Sequence, residues 1–451
     1  MNIDLKTIKK AYFLGLGGIG VSAVARMLLL EGKAVSGSDM ANSELLDILR
    51  QEGVDVFIGQ DVGHIPLDVD LVIYTIAIEK FAPDFMENVR QKIGRDKVIS
   101  YPESLSIISK DKYTIAICGT HGKTTTTAMV AKIMMDAGLD PTVIVGSIMS
   151  DTHSNFVAGK SKLVQMPNGE MGGYLVVEAC EYCRSFININ PTIVGITTID
   201  NDHMDYYKDS DDIKEAFSEF VGKASVAVAG DLNNEKIKKV IENYELRITN
   251  YEIKSKIIDS SISFDNNLKL KIPGEHNRKN ASVALSIAEF LGIPKNSAIA
   301  SLQSFSGTWR RFEYKGKTMS GAIVYDDYAH HPTEISATLA GVRELYPDKK
   351  IIVVFQPHLY SRTKLLFADF VDALSKADNI ILTPIYAARE VKDDTVLSEL
   401  LAEAVKKQNI NCIFLETFKE IKSELQKDTD EKNVIVVMGA GDISKLADIL
   451  I

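Results

Sequence analysis

Cysteine is scarce in this chain, with four in 451 residues, and Cys118, Cys180, Cys183 and Cys412 are too scattered for a disulfide framework. They read as reduced thiols. Cys180 and Cys183 make a single C-x-x-C, but zinc needs a second ligand pair and no other C-x-x-C or H-x-x-x-H occurs, so no metal clamp is assigned to them. Basic charge is also in deficit: 51 Lys and Arg stand against 61 Asp and Glu, a formal net charge of -10. That balance argues against a broad surface for nucleic acid or anionic membrane, so any anionic ligand must be held locally. No apolar run approaches the ~20 residues that span a bilayer, and MNIDLKTIKK lacks the apolar core and cleavage site of a signal peptide. The expectation is a cytoplasmic protein without membrane insertion. Nor is the sequence poor in hydrophobics, which make up 45% beside 25% charged residues, so disorder is minor.

What is present is a long alternation of apolar strands and helical patterns, the signature of α/β folds with parallel sheets. KAYFL, GLGGIG and VSAVARMLLLE give a strand, a glycine turn and a helix closed by Gly32. VDVFIG and LVIYT are further strands, and a polar stretch near Ser104 to Tyr113 leads into TIAICG. The second series contains VIVG, YLVVEA, IVGITTID and ASVAVAG. After a polar, glycine-rich GTWRRFEYKGKTMSG, a third contains AIVYDD, KKIIVVFQ, NIILTPIY and NVIVVMG. Three domains are expected, at 1–109, 110–310 and 311–451, and at this length several cores are feasible. No internal repeat or low-complexity tract occurs.

The strongest motif is TIAICGTHGKTTTTAMVAKIMMDAG, a strand, a tight turn and a helix in succession. Gly119 and Gly122 let backbone N–H groups close around phosphates, Lys123 brings a point charge, and Thr124 can place a hydroxyl on Mg²⁺. The usual G-x-x-x-x-G-K-[ST] pattern is incomplete, because Ile117 stands at its first glycine. A threonine-rich helix start would explain the threonines but not the lysine. Gly15-x-Gly17-x-x-Gly20 satisfies the dinucleotide fingerprint, with Asp39 at the end of the next strand. Taken alone, it suits NAD, the diphosphate of a UDP-sugar, or mere packing. A third cluster lies at strand ends, where Glu178 closes YLVVEA and IVGITTID runs into Asn201, Asp202, His203, Met204 and Asp205. Such positions converge on the ligand crevice of a doubly wound sheet, so Glu178 and His203 are candidate metal ligands. His121, His203, His276, His330, His331 and His358 all fall in strand-end segments, and their clustering argues for sites.

In order, GLGGIG, GTHGKTTTT, VVEACEY, DNDHMDYY, PGEHNRKN, GTWRRFEYKG, VYDDYAHHPTE and FQPHLYSRT resemble the Mur ligase family, and the resemblance spans nearly the whole chain. It implies a Rossmann-like N-terminal domain for a UDP-sugar, a central ATPase domain and a Rossmann-like C-terminal domain. By similarity Gly15, Gly17, Gly18, Ile19, Gly20 and Asp39 hold the UDP-sugar, and the NAD reading falls. Gly119, Thr120, His121, Gly122, Lys123, Thr124 and Thr125 face ATP, joined by Asn277, Asn280, Arg311 and Asp326. Thr124, Glu178 and His203 carry Mg²⁺; His330 lies near the reacting groups, and Arg362 takes the amino acid's carboxylate. Two departures stand out. Leu359 occupies a position expected to be polar or basic, and Phe217 falls where ligases for later amino acids carry a carbamylated lysine.

The resemblance implies that ATP converts the carboxylate of UDP-N-acetylmuramate to an acyl phosphate, which L-alanine's amine then attacks. His203 or His330 would assist proton removal. A monomer or weak homodimer is expected, closing about a hinge near Gly307 to Gly321. The competing readings are a ligase attaching a preformed peptide to the same sugar nucleotide, an NAD-dependent oxidoreductase, and a silent binding protein of the same family, against which the intact lysine and metal set argue.

Overall fold

The computed structural model describes residues 3–159, 162–204, 206–246, 255–388, 390–408 and 410–451. The chain divides into two compact units, Met1–Asp265 with Lys279–Phe305, and Asn266–Arg278 with Ser306–Ile451.

The first unit holds two sheets. In one, five parallel strands lie in the order Asp55–Ile58, Ala34–Asp39, Lys10–Leu14, Leu71–Tyr74, Val98–Ser100. Tyr12, Phe13 and Leu14 are fully buried, as a strand covered on both faces requires. Strand order reverses at Lys10–Leu14, so the glycine turn that follows, and the helix Ile19–Leu30, open at the crevice where such sheets bind ligands.

The other sheet has the order Lys256–Asp259, Val226–Ala229, Ile193–Ile196, Lys112–Cys118, Met171–Glu178, Thr142–Met149, Ser154–Val157, with Leu163–Gln165 antiparallel to Met171–Glu178. Lys112–Cys118 pairs in parallel with Met171–Glu178 on one side and Ile193–Ile196 on the other. The loop after Cys118 is therefore flanked by Glu178 and by the segment after Ile196. One continuous apolar core runs through both sheets of this unit. Buried Asn155 donates from Nδ2 to the Ile19 carbonyl at 2.5 Å and to Ser22 Oγ at 2.9 Å, and accepts from Arg26. The second sheet thereby grips the first turn of the helix Ile19–Leu30.

The stretch expected as a polar lead-in from Ser104 is a helix, Tyr101–Lys110. Ser100 and Glu103 form a reciprocal capping box, and Ser104 and Ser109 return their hydroxyls to carbonyls three residues back. Leu105 and Ile108 bury its apolar face. Cap and period outweigh the polar composition here.

The second unit is built on six strands in the order Glu313–Lys317, Ile323–Asp327, Asn433–Met438, Lys350–Phe355, Asn379–Leu382, Asn411–Phe414. All pair in parallel except Glu313–Lys317, an antiparallel edge strand with a bulge between Tyr314 and Gly316. The polar segment expected to be a hinge thus contributes a strand, pinned by stacking of Phe312 on Tyr325 at 4.3 Å. Asp327 ends Ile323–Asp327 and Gln356 follows Lys350–Phe355. No described helix is long and apolar enough to cross a membrane.

Candidate active site

The loop after Lys112–Cys118 is laced to the segment after Ile196. Thr120 N–H donates to the Thr198 carbonyl at 2.7 Å, His121 N–H to Thr198 Oγ1 at 3.1 Å, and Asp200 N–H to Thr120 Oγ1 at 2.8 Å. Glycine is obligatory at both turn positions. Gly119 has φ 133 and a Cβ there would lie 2.1 Å from Thr197 Oγ1; Gly122 has φ 83 and a Cβ would lie 2.3 Å from Asn280 Oδ1. Ile117 remains inside the strand, so the shortened motif loses nothing in the turn itself. Gly122 caps the helix Lys123–Asp136, which buries Thr124 to Thr127 and aims its N-terminal N–H groups into the loop.

Lys123 Nζ donates to the carbonyls of Gly119 at 2.6 Å and Thr120 at 3.0 Å, and lies 2.9 Å from Glu181 Oε2. Burial alone would lower its pKa, but Glu181 and then the neighbouring Cys180 and Glu178 reverse this, and the ammonium is held above its ordinary range. Thr124 donates to Glu178 Oε1 at 3.1 Å, and Gly146 N–H donates to Glu178 Oε2 at 2.8 Å. A Cβ on Gly146 would meet that carboxylate at 2.4 Å. His203, at φ 57, sets Nε2 3.7 Å from Glu181 Oε1 and 3.9 Å from Asp202. Asp200 faces His121 at 3.6 Å and Lys236 at 2.7 Å, and the bond to His121 first, then Lys236, holds it below the carboxylate range. Asp205, named with this cluster, lies outside the described residues.

Motif spacing brought Lys123, Thr124, Glu178 and His203 to the site but missed Glu181, Asp200, Lys236 and Gly146. Glu181 was hidden inside the C-x-x-C, whose cysteines, like Cys118 and Cys412, form no disulfide among the described residues. For Mg²⁺, the Glu178 carboxylate and Thr124 hydroxyl are hard oxygen donors already within 3.1 Å of each other, a set that fits that ion. Phe217 is fully buried against Phe186 at 5.2 Å, an apolar core position.

In the N-terminal loop, Gly15 has φ 77 and a Cβ there would lie 2.3 Å from Thr75 Cγ2. Gly18 caps the helix Ile19–Leu30, and Asp39 accepts from Gly17 N–H at 2.8 Å and Met40 N–H at 2.7 Å. Asp39 thus braces the loop from within. Against Gly20 packs Tyr101, so closely that a Cβ would come within 2.6 Å of its ring and hydroxyl. Burial and then the charge of Glu178 raise the Tyr101 pKa, so the phenol stays neutral between this loop and the carboxylate centre. A helix boundary at Ser100 was the signal that could have found it.

The remaining candidates belong to the second unit, apart from Asn280, which abuts Gly122. Asn277 donates to the Pro273 carbonyl at 2.8 Å. Arg310 Nε lies 3.2 Å from Asp326 Oδ2, and Arg310 and Arg311 pack over the Tyr328 ring at 5.1 and 5.0 Å. Burial lifts Asp326 to about 7 and Asp327 to about 6, and Asp326 Oδ1 has no hydrogen-bond partner among the described residues. His330 Nδ1 lies 2.9 Å from the Tyr328 carbonyl and 3.3 Å from Glu334, and its ring is 6.0 Å from His358. Arg362 reaches His358 Nδ1 at 3.3 Å, and His358 stacks on Tyr386. His330 and Arg362 therefore meet through His358, whose pKa is lowered to about 3, by burial first and then by both neighbours. Leu359 takes φ 71 and donates its N–H to the Tyr386 carbonyl at 3.0 Å.

Three family profiles cover the chain: Mur ligase family, catalytic domain, at residues 10–113; Mur ligase middle domain at 117–288; and Mur ligase, glutamate ligase domain, at 310–441. The chain is 40% identical to UDP-N-acetylmuramate--L-alanine ligase of Clostridium tetani, with all of both chains covered. This chain belongs to the Mur ligase family. To the ligase of the same name from Caldicellulosiruptor saccharolyticus it is 38% identical over 98% of each chain. Among solved structures, the UDP-N-acetylmuramate-alanine ligase MurC of Thermotoga maritima superposes with a TM-score of 0.76 at 26% identity over 98% of each chain. A murein peptide ligase from Psychrobacter arcticus shares the fold, with a TM-score of 0.69 at 22% identity and 98% coverage of each. As a Mur ligase, the chain is a carbon–nitrogen ligase that uses ATP, and its N-terminal glycines need no nicotinamide cofactor to explain them.

Proposed function

We propose that this protein joins L-alanine to UDP-N-acetylmuramate in peptidoglycan precursor synthesis, using ATP and releasing ADP and phosphate. The observation that carries the reading is the meeting of Lys123 and Thr124, at the opening of the phosphate-loop helix, with Glu178 and Glu181 at one sheet edge. The full-length similarity to alanine ligases gives the substrates.

Gly119 to Thr125 bind the triphosphate through backbone N–H groups and the helix N-terminus, with Asn280 against the loop. Lys123 draws charge from the transferring phosphoryl group, which is the main catalytic need because phosphoryl transfer is chiefly positioning and electrostatics. Thr124, Glu178 and His203 would hold Mg²⁺, which supplies charge neutralisation at the phosphate oxygens. Gly15, Gly17, Gly18, Ile19 and Gly20, braced by Asp39, hold the sugar nucleotide's diphosphate, and Asn277, Arg311 and Asp326 serve the nucleoside end of ATP. The lactyl carboxylate attacks the γ-phosphate, so the acyl phosphate forms and ADP leaves. L-alanine's amine, its proton taken by His330, then attacks the acyl carbon and expels phosphate. Arg362 holds the alanine carboxylate. Both nucleotide substrates are cytoplasmic, and the reaction belongs there.

Phosphate release should be measured with UDP-N-acetylmuramate and, in turn, L-alanine, glycine, L-serine and a cell-wall tripeptide. Release should be fastest with L-alanine. Dependence on the tripeptide alone would transfer the protein to the peptide-attaching branch.

A further inference from the structure

Glu181 has no task in the ligase reaction so far, yet it is among the most buried acids of the chain at 2% exposure. Its two oxygens lie 3.1 and 2.9 Å from Lys123 Nζ, and Oε1 also faces His203 Nε2 at 3.7 Å. The backbone around it is fixed. Its carbonyl accepts from the Tyr207 hydroxyl at 2.6 Å and from Arg184 N–H at 2.9 Å, and Arg184 is pinned in turn to Asp212 at 2.6 Å. A buried ion pair is a poor source of stability, since desolvation offsets most of the attraction and apolar replacements often do as well. The pair calls for a functional reason.

Lys123 has three acceptor groups here: the carbonyls of Gly119 and Thr120 and the carboxylate of Glu181. A triphosphate entering the loop must compete for the same ammonium. We propose that Glu181 is a positioning residue that holds Lys123 in its working rotamer and yields it to the nucleotide's phosphates, weakening ATP binding while speeding phosphoryl transfer. The carboxylate opposes a second anion in the ground state. As charge spreads onto the transferring group in the transition state, an ammonium already fixed in place needs no further reorganisation. The contact with His203 extends the same control to the neighbouring strand end. This inference rests on the ligase reading.

The test uses the full chain, wild type and Glu181→Gln, which keeps the side-chain volume and removes the charge. Calorimetry with a non-hydrolysable ATP analogue and Mg²⁺ should give an affinity about 3- to 10-fold tighter in the variant, while kcat for phosphate release falls about 10- to 100-fold. Glu181→Asp keeps the charge on a shorter arm. It should leave analogue affinity within about 2-fold of wild type and recover part of kcat. Weaker binding together with slower turnover and a lowered melting temperature would mark a merely structural residue and overturn the proposal, as would unchanged affinity and kcat. Should Glu181→Gln fail to fold, a wild-type kcat in Glu181→Asp overturns it and a reduced kcat at wild-type affinity supports it. If the wild-type chain released no phosphate with UDP-N-acetylmuramate and L-alanine, the ligase reading would fail, while the analogue titration would still decide whether Glu181 opposes the nucleotide.

Discussion

Gly15–Gly20 and Gly119–Gly122 each follow a central strand that pairs in parallel on both sides, and each open a helix, yet their surroundings differ in charge. In the first, Thr75 abuts Gly15, Asp39 accepts from Gly17 N–H and Tyr101 packs on Gly20, so the loop is flanked by a threonine, an acid already bound to backbone and a neutral phenol. In the second, Lys123 stands inside the turn with Glu178, Glu181, Asp200 and His203 on the adjoining strand ends. The backbone device is the same and binds phosphates in either setting. What separates a clamp from a reaction centre is a cation held in place beside a carboxylate, and the carboxylates that can hold a metal beside it.

The hardest blow to that distinction would come from Lys123→Ala. Turnover should fall by about 10³-fold or more, as loss of a cation that stabilises the transferring phosphoryl group does, while UDP-N-acetylmuramate affinity measured by calorimetry stays within about 2-fold of wild type. Appreciable remaining turnover would erase the difference between the loops. The variant also strands Glu181 as a buried charge, so stability should drop by about 3 kcal/mol, read by chemical denaturation.

A crossed pair of glycine substitutions sharpens the comparison. Gly122→Ala forces a side chain onto φ 83 and into Asn280, and ATP-analogue affinity should fall about 100-fold with sugar-nucleotide affinity unchanged. Gly20→Ala displaces the Tyr101 ring and should weaken the sugar nucleotide about 10-fold, leaving the analogue alone. If both substitutions weakened both ligands equally, the loops would not be separate sites.

The second unit offers a contrast of its own, since its strand-end acids are lifted by burial where Asp200 is depressed by partners. Asp326 and Asp327, at about 7 and 6 in the fold, bind protons more tightly folded than unfolded, where about 4 is usual. Folding therefore takes up protons in that window, and stability falls as pH rises from about 4 to about 7. Asp326→Asn removes one titration, so its stability relative to wild type should improve by on the order of 2 kcal/mol from pH 5 to pH 8 in denaturant melts. A pH-independent difference would contradict the raised value.

Much of this fold was readable because its strands are continuous apolar runs punctuated by glycine, and the lysine of the phosphate loop announced itself by position. The helix at Tyr101 was not, because serines filled it and only the capping box at Ser100 and Glu103 marked its start. Glu181 was masked by flanking cysteines that suggested thiol chemistry, and Gly146 by lying one strand away from the carboxylate it admits. Asp39 stood where the dinucleotide fingerprint expects an acid, but no spacing rule tells that its carboxylate also secures Gly17. Such relations arise between strands, and sequence order does not record them. The smallest effect follows from the same helix: Ser100→Ala should lower stability by about 1 kcal/mol without altering either affinity.

The direct measurement of the central claim is oxygen transfer. With UDP-N-acetylmuramate labelled with ¹⁸O in its lactyl carboxylate, turnover with ATP and L-alanine should place one labelled oxygen in the phosphate released, because the acyl phosphate breaks at the acyl carbon. Phosphate free of label, with the amide still formed, would contradict activation as an acyl phosphate and, with it, the role of the Lys123 loop in phosphoryl transfer.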